Sequence, residues 1–141
     1  IALIDLDLFK QINDRFGHDA GDHVLREFAA LMRTVIRQAD VAARWGGEEF
    51  LVLLPDTSLL QALTLAERLR SQVARHPFRF SDQALPVTIS AGVCSIAKAR
   101  SLDDLLKQAD LNLYNAKEAG RNQIAPRVRS QESGTSASLS P

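Results

Sequence analysis

Apolar positions recur along this chain with two distinct periods, and the changes of period divide it into elements. "IALIDLDLF" opens as an unbroken apolar run and then alternates leucine with aspartate. A two-residue period is that of a strand, here turning Asp5 and Asp7 to one face. "DHVLREFAALMRTVIRQAD" places Val24, Leu25, Phe28, Leu31, Met32, Val35 and Ile36 on one helical stripe that ends near Ala39, with Met32 as core filler. "DVAARW" and "EFLVLLP" are β-prone runs separated by Gly46 and Gly47, so a hairpin is expected. "TSLLQALTLAERLRSQVARHP" reads as a second amphipathic helix, capped by Thr57 or Ser58 and closed by Pro77. "LPVTISAGVCSIA" aligns Val87, Ile89, Ala91 and Val93 on one strand face. "SLDDLLKQADLNLYNAKEAGRN" is a third helix, with a capping-box-like start at Ser101 and Asp104 and Gly120 at its end.

The order strand, helix, hairpin, helix, strand, helix predicts an α/β (α+β) sandwich: a mainly antiparallel central sheet flanked by helices. With 141 residues, 45% of them hydrophobic, one domain with a substantial core is expected. Seventeen basic residues balance seventeen acidic ones, which gives no support to nucleic-acid binding or to membrane contact by this domain. The apolar runs are too short to span a bilayer. The single cysteine, Cys94, excludes an internal disulfide and fits a reducing, cytoplasmic setting, although a parent protein could be membrane-anchored. The chain opens with Ile1 inside a strand-like run and closes in "PRVRSQESGTSASLSP". Residues 126–141 are therefore expected to be a disordered tail, and the whole to be a piece of a larger protein.

The candidate chemistry lies in carboxylates. Asp5 ends a strand and Glu48 tips a hairpin, so the two meet if their strands are neighbours. Phosphoryl-transfer sites hold Mg²⁺ with one or two carboxylates, the other positions going to water and substrate phosphates. Zinc is not indicated, because three histidines and one cysteine show no ligand spacing. The plain alternative for Asp5 and Asp7 is a strand end with solvated acids. "DLDLFKQINDRFGHDAGD", then "RWGGEEF", then "NAKEAGRN" change that balance. In type, order and spacing these motifs, spread from Asp5 to Asn122, resemble the GGDEF family of diguanylate cyclases.

The resemblance implies a palm-like nucleotidyl cyclase fold and a catalytic domain over residues 1–125 that lacks the family's N-terminal segment. It implies condensation of two GTP into cyclic di-GMP and two pyrophosphates, in a homodimer whose halves each hold one GTP. In such a site Asp5, Glu48 and the Leu6 carbonyl would hold Mg²⁺, two ions per half-site, with Mn²⁺ as the alternative. Glu48 would also help to deprotonate the attacking hydroxyl, and Glu49 would complete the acidic cluster. Glu48 stands where the family name has Asp, and "GGEEF" is an accepted version of the motif. Phe9 and Lys10 match phosphate-binding positions, as do Lys117 and Arg121, whose spacing of four puts both cations on one helix face. Asn13 and Asp22 match the guanine-reading pair; a carboxylate can accept from guanine N1–H and N2–H, which adenine lacks. Helix capping beside Gly17 and Gly21 is the other reading of that pair, and a solvated helix surface that of Lys117 and Arg121. His18 is expected to make a loop-fixing hydrogen bond, and His23 and His76 to lie at the surface.

"RQAD" ends the long helix and precedes Gly46 by the spacing of the family's inhibitory RxxD site. There Arg37 and Asp40 would bind cyclic di-GMP as product and inhibitor, with Arg68 reaching it from a neighbouring domain. A sensory or receiver domain is the expected partner in the parent chain. Two other classes compete: a cyclic di-GMP receptor without turnover, which needs only Arg37, Asp40 and Arg68, and a GTP-binding regulatory domain.

Overall fold

The computed structural model describes residues 1–127, so most of the expected tail, residues 128–141, lies outside them. Seven strands and four α-helices follow in the order β1 (Ala2–Leu6), α1 (Phe9–Phe16), α2 (His18–Val35), β2 (Val41–Arg44), β3 (Glu49–Leu53), α3 (Leu59–Arg75), β4 (Arg79–Phe80), β5 (Gln83–Ala84), β6 (Ile89–Val93), α4 (Leu102–Glu118) and β7 (Ile124–Ala125). Five strands form one sheet in the order β2-β3-β1-β6-β7, and β4 and β5 form a separate small hairpin. All pairs of the main sheet are antiparallel except β6 with β7. The expected α+β sandwich is therefore the observed one. Among the described residues no helix is long and apolar enough to cross a membrane.

The period of two in β1 splits the core between the two faces of the sheet. Ala2, Ile4 and Leu6 join one apolar cluster with Val24, Phe28 and Met32 of α2 and with Ala66, Leu69 and Val73 of α3. Leu3 joins Leu51, Cys94 and the Leu105, Ala109 and Leu113 stripe of α4 on the other face. Ile89, Ala91 and Val93 fall in the first cluster as their alternation predicts, while Cys94 lies one residue past β6 and packs in the second.

Boundaries moved where side chains compete with the helix ladder. α2 begins at His18, four residues earlier than the pattern predicts, because Gly17 takes φ 93° and breaks α1 from α2. It stops at Val35 and not near Ala39. Asp40 accepts from the Arg37 N–H (2.8 Å) and donates its own N–H to the Arg37 carbonyl (3.0 Å), closing a turn that a helix would forbid. Ser58, of the two candidates, caps α3 in a reciprocal box with Gln61 (3.1 and 3.0 Å). Ser101 caps α4 through the Asp104 N–H (3.1 Å), but Asp104 turns its own carboxylate to the Arg100 N–H. The β4–β5 hairpin and β7, two residues per strand, carry no periodic signal and were not expected.

Candidate active site

Pairing of β1 with β3 sets Asp5 directly opposite Glu49. The ladder continues by one bond, Leu6 N–H to the Glu48 carbonyl at 3.2 Å, so Glu48 sits at the mouth of the β2–β3 turn beside Asp5. Trp45 N–H on the Glu49 carbonyl (2.8 Å) closes that turn. Arg44 grips it from outside, with Nε and Nη2 on the Gly47 carbonyl at 3.0 and 2.7 Å. Arg44 is a site residue that the motif reading passed over, although it stands only two residues before the glycine pair.

Asp5 and Asp7 are buried, each 5% exposed, where solvated acids were the plain alternative. The Asp5 carboxyl is raised from 3.8 to about 6: burial is the largest cause, opposed by the hydrogen bond and charge of Lys117 (Nζ at 2.8 Å) and assisted by the Glu48 and Glu49 charges. Because the folded value is the higher one, this group's stabilisation is complete below its unfolded value and is lost as pH rises through about 6. Asp5→Asn is therefore expected to gain stability relative to the parent as pH rises from about 4 to about 6, approaching about 3 kcal/mol. Thermal unfolding of both chains without added metal, across that window, checks it; a difference that stays flat with pH contradicts the shift.

An open cleft of about 490 Å³ runs from this turn to α1 and α2. Phe9, Lys10, Asn13, Asp22 and Glu48 all line it, together with Arg44 and His18. Phe9 and Lys10 open α1 after Leu8, whose φ of 54° turns the chain out of β1. Asn13 and Asp22 belong to different helices, and Gly21 lets them approach: a Cβ on Gly21 would collide with the Asn13 side chain. Gly21 is thus a requirement of helix packing. Neither Asn13 nor Asp22 is the N-cap of α2, which is Gly17. His18 lines the cleft but makes no side-chain hydrogen bond among the described residues, contrary to the expectation. His23 and His76 are half-buried and not simply at the surface, sharing Glu27 at 3.0 and 3.2 Å.

Lys117 and Arg121 do not share a helix face. α4 ends at Glu118, Gly120 takes φ 121°, and Arg121 lies beyond it at φ 61° with its N–H on the Ala116 carbonyl (3.1 Å). A C-terminal glycine in this conformation stops the ladder before the fourth residue can be reached. Lys117 reaches across to Asp5 instead.

The RxxD turn is about its own closure. Arg37 reaches Asp40 Oδ1 and Oδ2 (2.9 and 3.2 Å) and Thr57 Oγ1 (2.6 Å), and half of its side chain is exposed. Burial raises the Asp40 carboxyl, but hydrogen bonds from the Arg37 side chain and backbone outweigh it and hold the group below its ordinary value. Arg68 of α3 donates to the Val35 carbonyl (3.0 Å), two residues before Arg37 in the same chain.

Among the described residues no three His, Cys, Asp or Glu side chains form a ready-made metal cage. The acids present still suit a hard divalent ion. Asp5 ionises reluctantly beside Glu48 and Glu49, and Mg²⁺ sites draw the rest of their oxygens from water and phosphate.

A mainly antiparallel five-stranded sheet thus carries these acids at its β1–β3 end, beside the cleft that opens towards α1 and α2. The family model described as "Diguanylate cyclase, GGDEF domain" matches residues 1–123, and the chain belongs to this family. Response regulator PleD of Caulobacter vibrioides is 50% identical over 125 residues, covering 86% of this chain and 28% of PleD. Diguanylate cyclase SiaD of Pseudomonas aeruginosa, solved with its activator SiaC, aligns at 43% identity with a TM-score of 0.80, over 87% of this chain and 47% of that one. The active GGEEF domain of a Vibrio cholerae diguanylate cyclase aligns at 38% identity and a TM-score of 0.77, over 87% and 78%. The chain thus spans less than a third of the length of PleD.

Proposed function

We propose that this domain is a diguanylate cyclase, joining two GTP into cyclic di-GMP across a homodimer. One observation carries the reading: Asn13 and Asp22 line the same cleft as Glu48, which strand pairing sets beside Asp5. A guanine-reading pair and a carboxylate able to take a proton thus face one substrate-sized space. The names of SiaD and of the Vibrio cholerae GGEEF domain support it, the latter with the same Glu at the variable position of the motif.

In this reading Asp22 accepts from guanine N1–H and N2–H, and Asn13 completes the base contacts. ATP offers no such donors and leaves Asp22 unpaired, so GTP is selected. The α1 N-terminus at Phe9 and the cations of Lys10, Lys117 and Arg121 hold the triphosphate. Asp5, Glu48 and the Leu6 carbonyl would hold two Mg²⁺ per half-site, or Mn²⁺ in their place. Bound there, the ions supply charge neutralisation for the transferring phosphate. Glu48 accepts the proton of the 3′-hydroxyl, with Glu49 completing the acidic cluster. The 3′-oxygen of each GTP bonds to the α-phosphorus of the other, and the α–β bond breaks to release pyrophosphate. Two such displacements close the ring, so a monomer holds half of the reaction. PleD's name as a response regulator supports a receiver or sensory domain in a longer protein as the means of pairing two copies.

Product analysis by mass spectrometry tests this, using the chain fused to a dimeric coiled coil and supplied with GTP and Mg²⁺. Cyclic di-GMP is the expected product, and ATP in place of GTP is expected to give none. A folded, dimeric, GTP-binding protein that forms no cyclic dinucleotide refutes it. Arg37, Asp40 and Arg68, gathered at the end of α2, are proposed to bind the product and slow the enzyme. Arg37→Ala is expected to weaken cyclic di-GMP binding at least tenfold, the loss of one or more charge-assisted contacts. Progress curves that bend equally in both proteins would oppose that.

A further inference from the structure

Asp7 is a buried carboxylate for which the reaction above has no use. It accepts from Thr88 Oγ1 (2.8 Å), from Ser90 Oγ (2.7 Å) and from the backbone N–H of Asn122 (2.9 Å). Asn122 is also held from the opposite side, where Arg70 Nη1 of α3 donates to its Oδ1 at 2.8 Å. The turn between these grips is unusual. Arg121 and Asn122 both have positive φ, 61° and 48°, in consecutive positions that carry a Cβ. Such backbone persists only where the surroundings over-determine it. Here they do: Arg121 N–H binds the Ala116 carbonyl (3.1 Å), and Gln123 Nε2 binds the Arg121 carbonyl (3.0 Å). The Gln123 carbonyl then accepts from Ala91 N–H (3.1 Å), joining the turn to β6.

We propose that Asp7 and Arg70 are positioning residues for the triphosphate site, locking the left-handed Arg121–Asn122 turn and so setting the direction in which the Arg121 side chain leaves the backbone. This rests on the reading of Arg121 as a phosphate ligand. Asp7 and Asp5 share a strand face, but their environments separate them. Asp5 meets one ammonium and two further acids, whereas Asp7 accepts from two hydroxyls and a backbone amide. Its oxygens are committed to the fold. Arg70 does not line the cleft and links Glu67 (2.6 and 2.8 Å) to Asn122, so its contact with the site runs through the turn.

The test pairs two readouts on the full chain. One is hydrogen exchange at the Asn122 amide; the other is calorimetric affinity for a non-hydrolysable GTP analogue with Mg²⁺, which requires no turnover. Asp7→Ala and Arg70→Ala are each made with and without Arg121→Ala, and Asp7→Asn serves as the conservative rescue. Exchange at Asn122 is expected to quicken in Asp7→Ala and to return towards the parent rate in Asp7→Asn, whose amide oxygen can still accept. Analogue affinity is expected to fall about tenfold in each single variant, yet by less than about twofold when Arg121 is already alanine. Unchanged exchange, or equal affinity losses with and without Arg121, overturns the proposal. If Asp7→Ala does not fold, Arg70→Ala on the outer helix carries the same comparison. A parent chain with a protected Asn122 amide and no affinity for the analogue refutes the substrate reading, and the role given to Arg121 with it.

Discussion

Glu48→Gln is expected to lower the rate of cyclic di-GMP formation by about 10³-fold while leaving the fold intact, within the range that a general base and a charged ligand supply. The amide has the same shape, so the turn closed by Trp45, Glu49 and Arg44 has no reason to move. What disappears is one negative charge beside Asp5 and, in the mechanism proposed above, the acceptor of the 3′-hydroxyl proton. The same substitution carries an independent sign. The Glu48 charge helps to hold the Asp5 carboxyl up near 6, so its removal is expected to lower the Asp5 value. Carbon-detected NMR titration of Asp5 in both chains reads that directly. A variant that keeps its rate would remove Glu48 from the chemistry, whatever the titration shows.

Gly92→Ala is expected to cost about 3 kcal/mol or more of stability, at the upper end of what overpacking does. Gly92 lies in β6, flanked by β1 and β7, and α4 crosses directly over it. A Cβ built there would collide with the Ala109 carbonyl oxygen and the Leu113 nitrogen, both backbone atoms of a helix that cannot swing aside as a side chain can. The helix would have to lift from the sheet, opening the Leu3, Leu51 and Leu105 cluster and carrying Lys117 away from Asp5. Urea unfolding should show a much lower midpoint, with loss of activity following loss of fold. Gly21→Ala makes the useful contrast. There the obstructing atoms belong mainly to the Asn13 side chain, which can rotate, so the fold is expected to survive and guanine recognition to suffer.

The elements of this domain were legible because periodicity is local. The stripe of α2, the alternation of β1 and β6 and the caps of α3 and α4 depend on residues within a few positions of one another. The short β4–β5 hairpin and β7 were not legible, since two residues cannot display a period and their pairing is decided by distant strands. The end of α2 was misplaced for a related reason. Helical periodicity continues past Val35, but the side chain and backbone N–H of Asp40 both close on Arg37 and turn the chain there.

The candidate site divides along the same line. Sequence alone determined the family, the sandwich, and which residue types stand at Asp5, Glu48, Asn13 and Asp22, because motif spacing records the length of each turn and helix. It also placed Asp5 and Asp7 on one face. Only the tertiary structure separated their roles, giving Asp5 a lysine 112 positions away and Asp7 a ring of hydroxyl and amide donors. It alone brought Arg44 and His18 to the cleft, whereas the exit of Arg121 from the helix face of Lys117 follows from Gly120, a local stop. Which side chains meet is set by how strands pair and helices cross, and those contacts leave no trace in the spacing of neighbours along the chain.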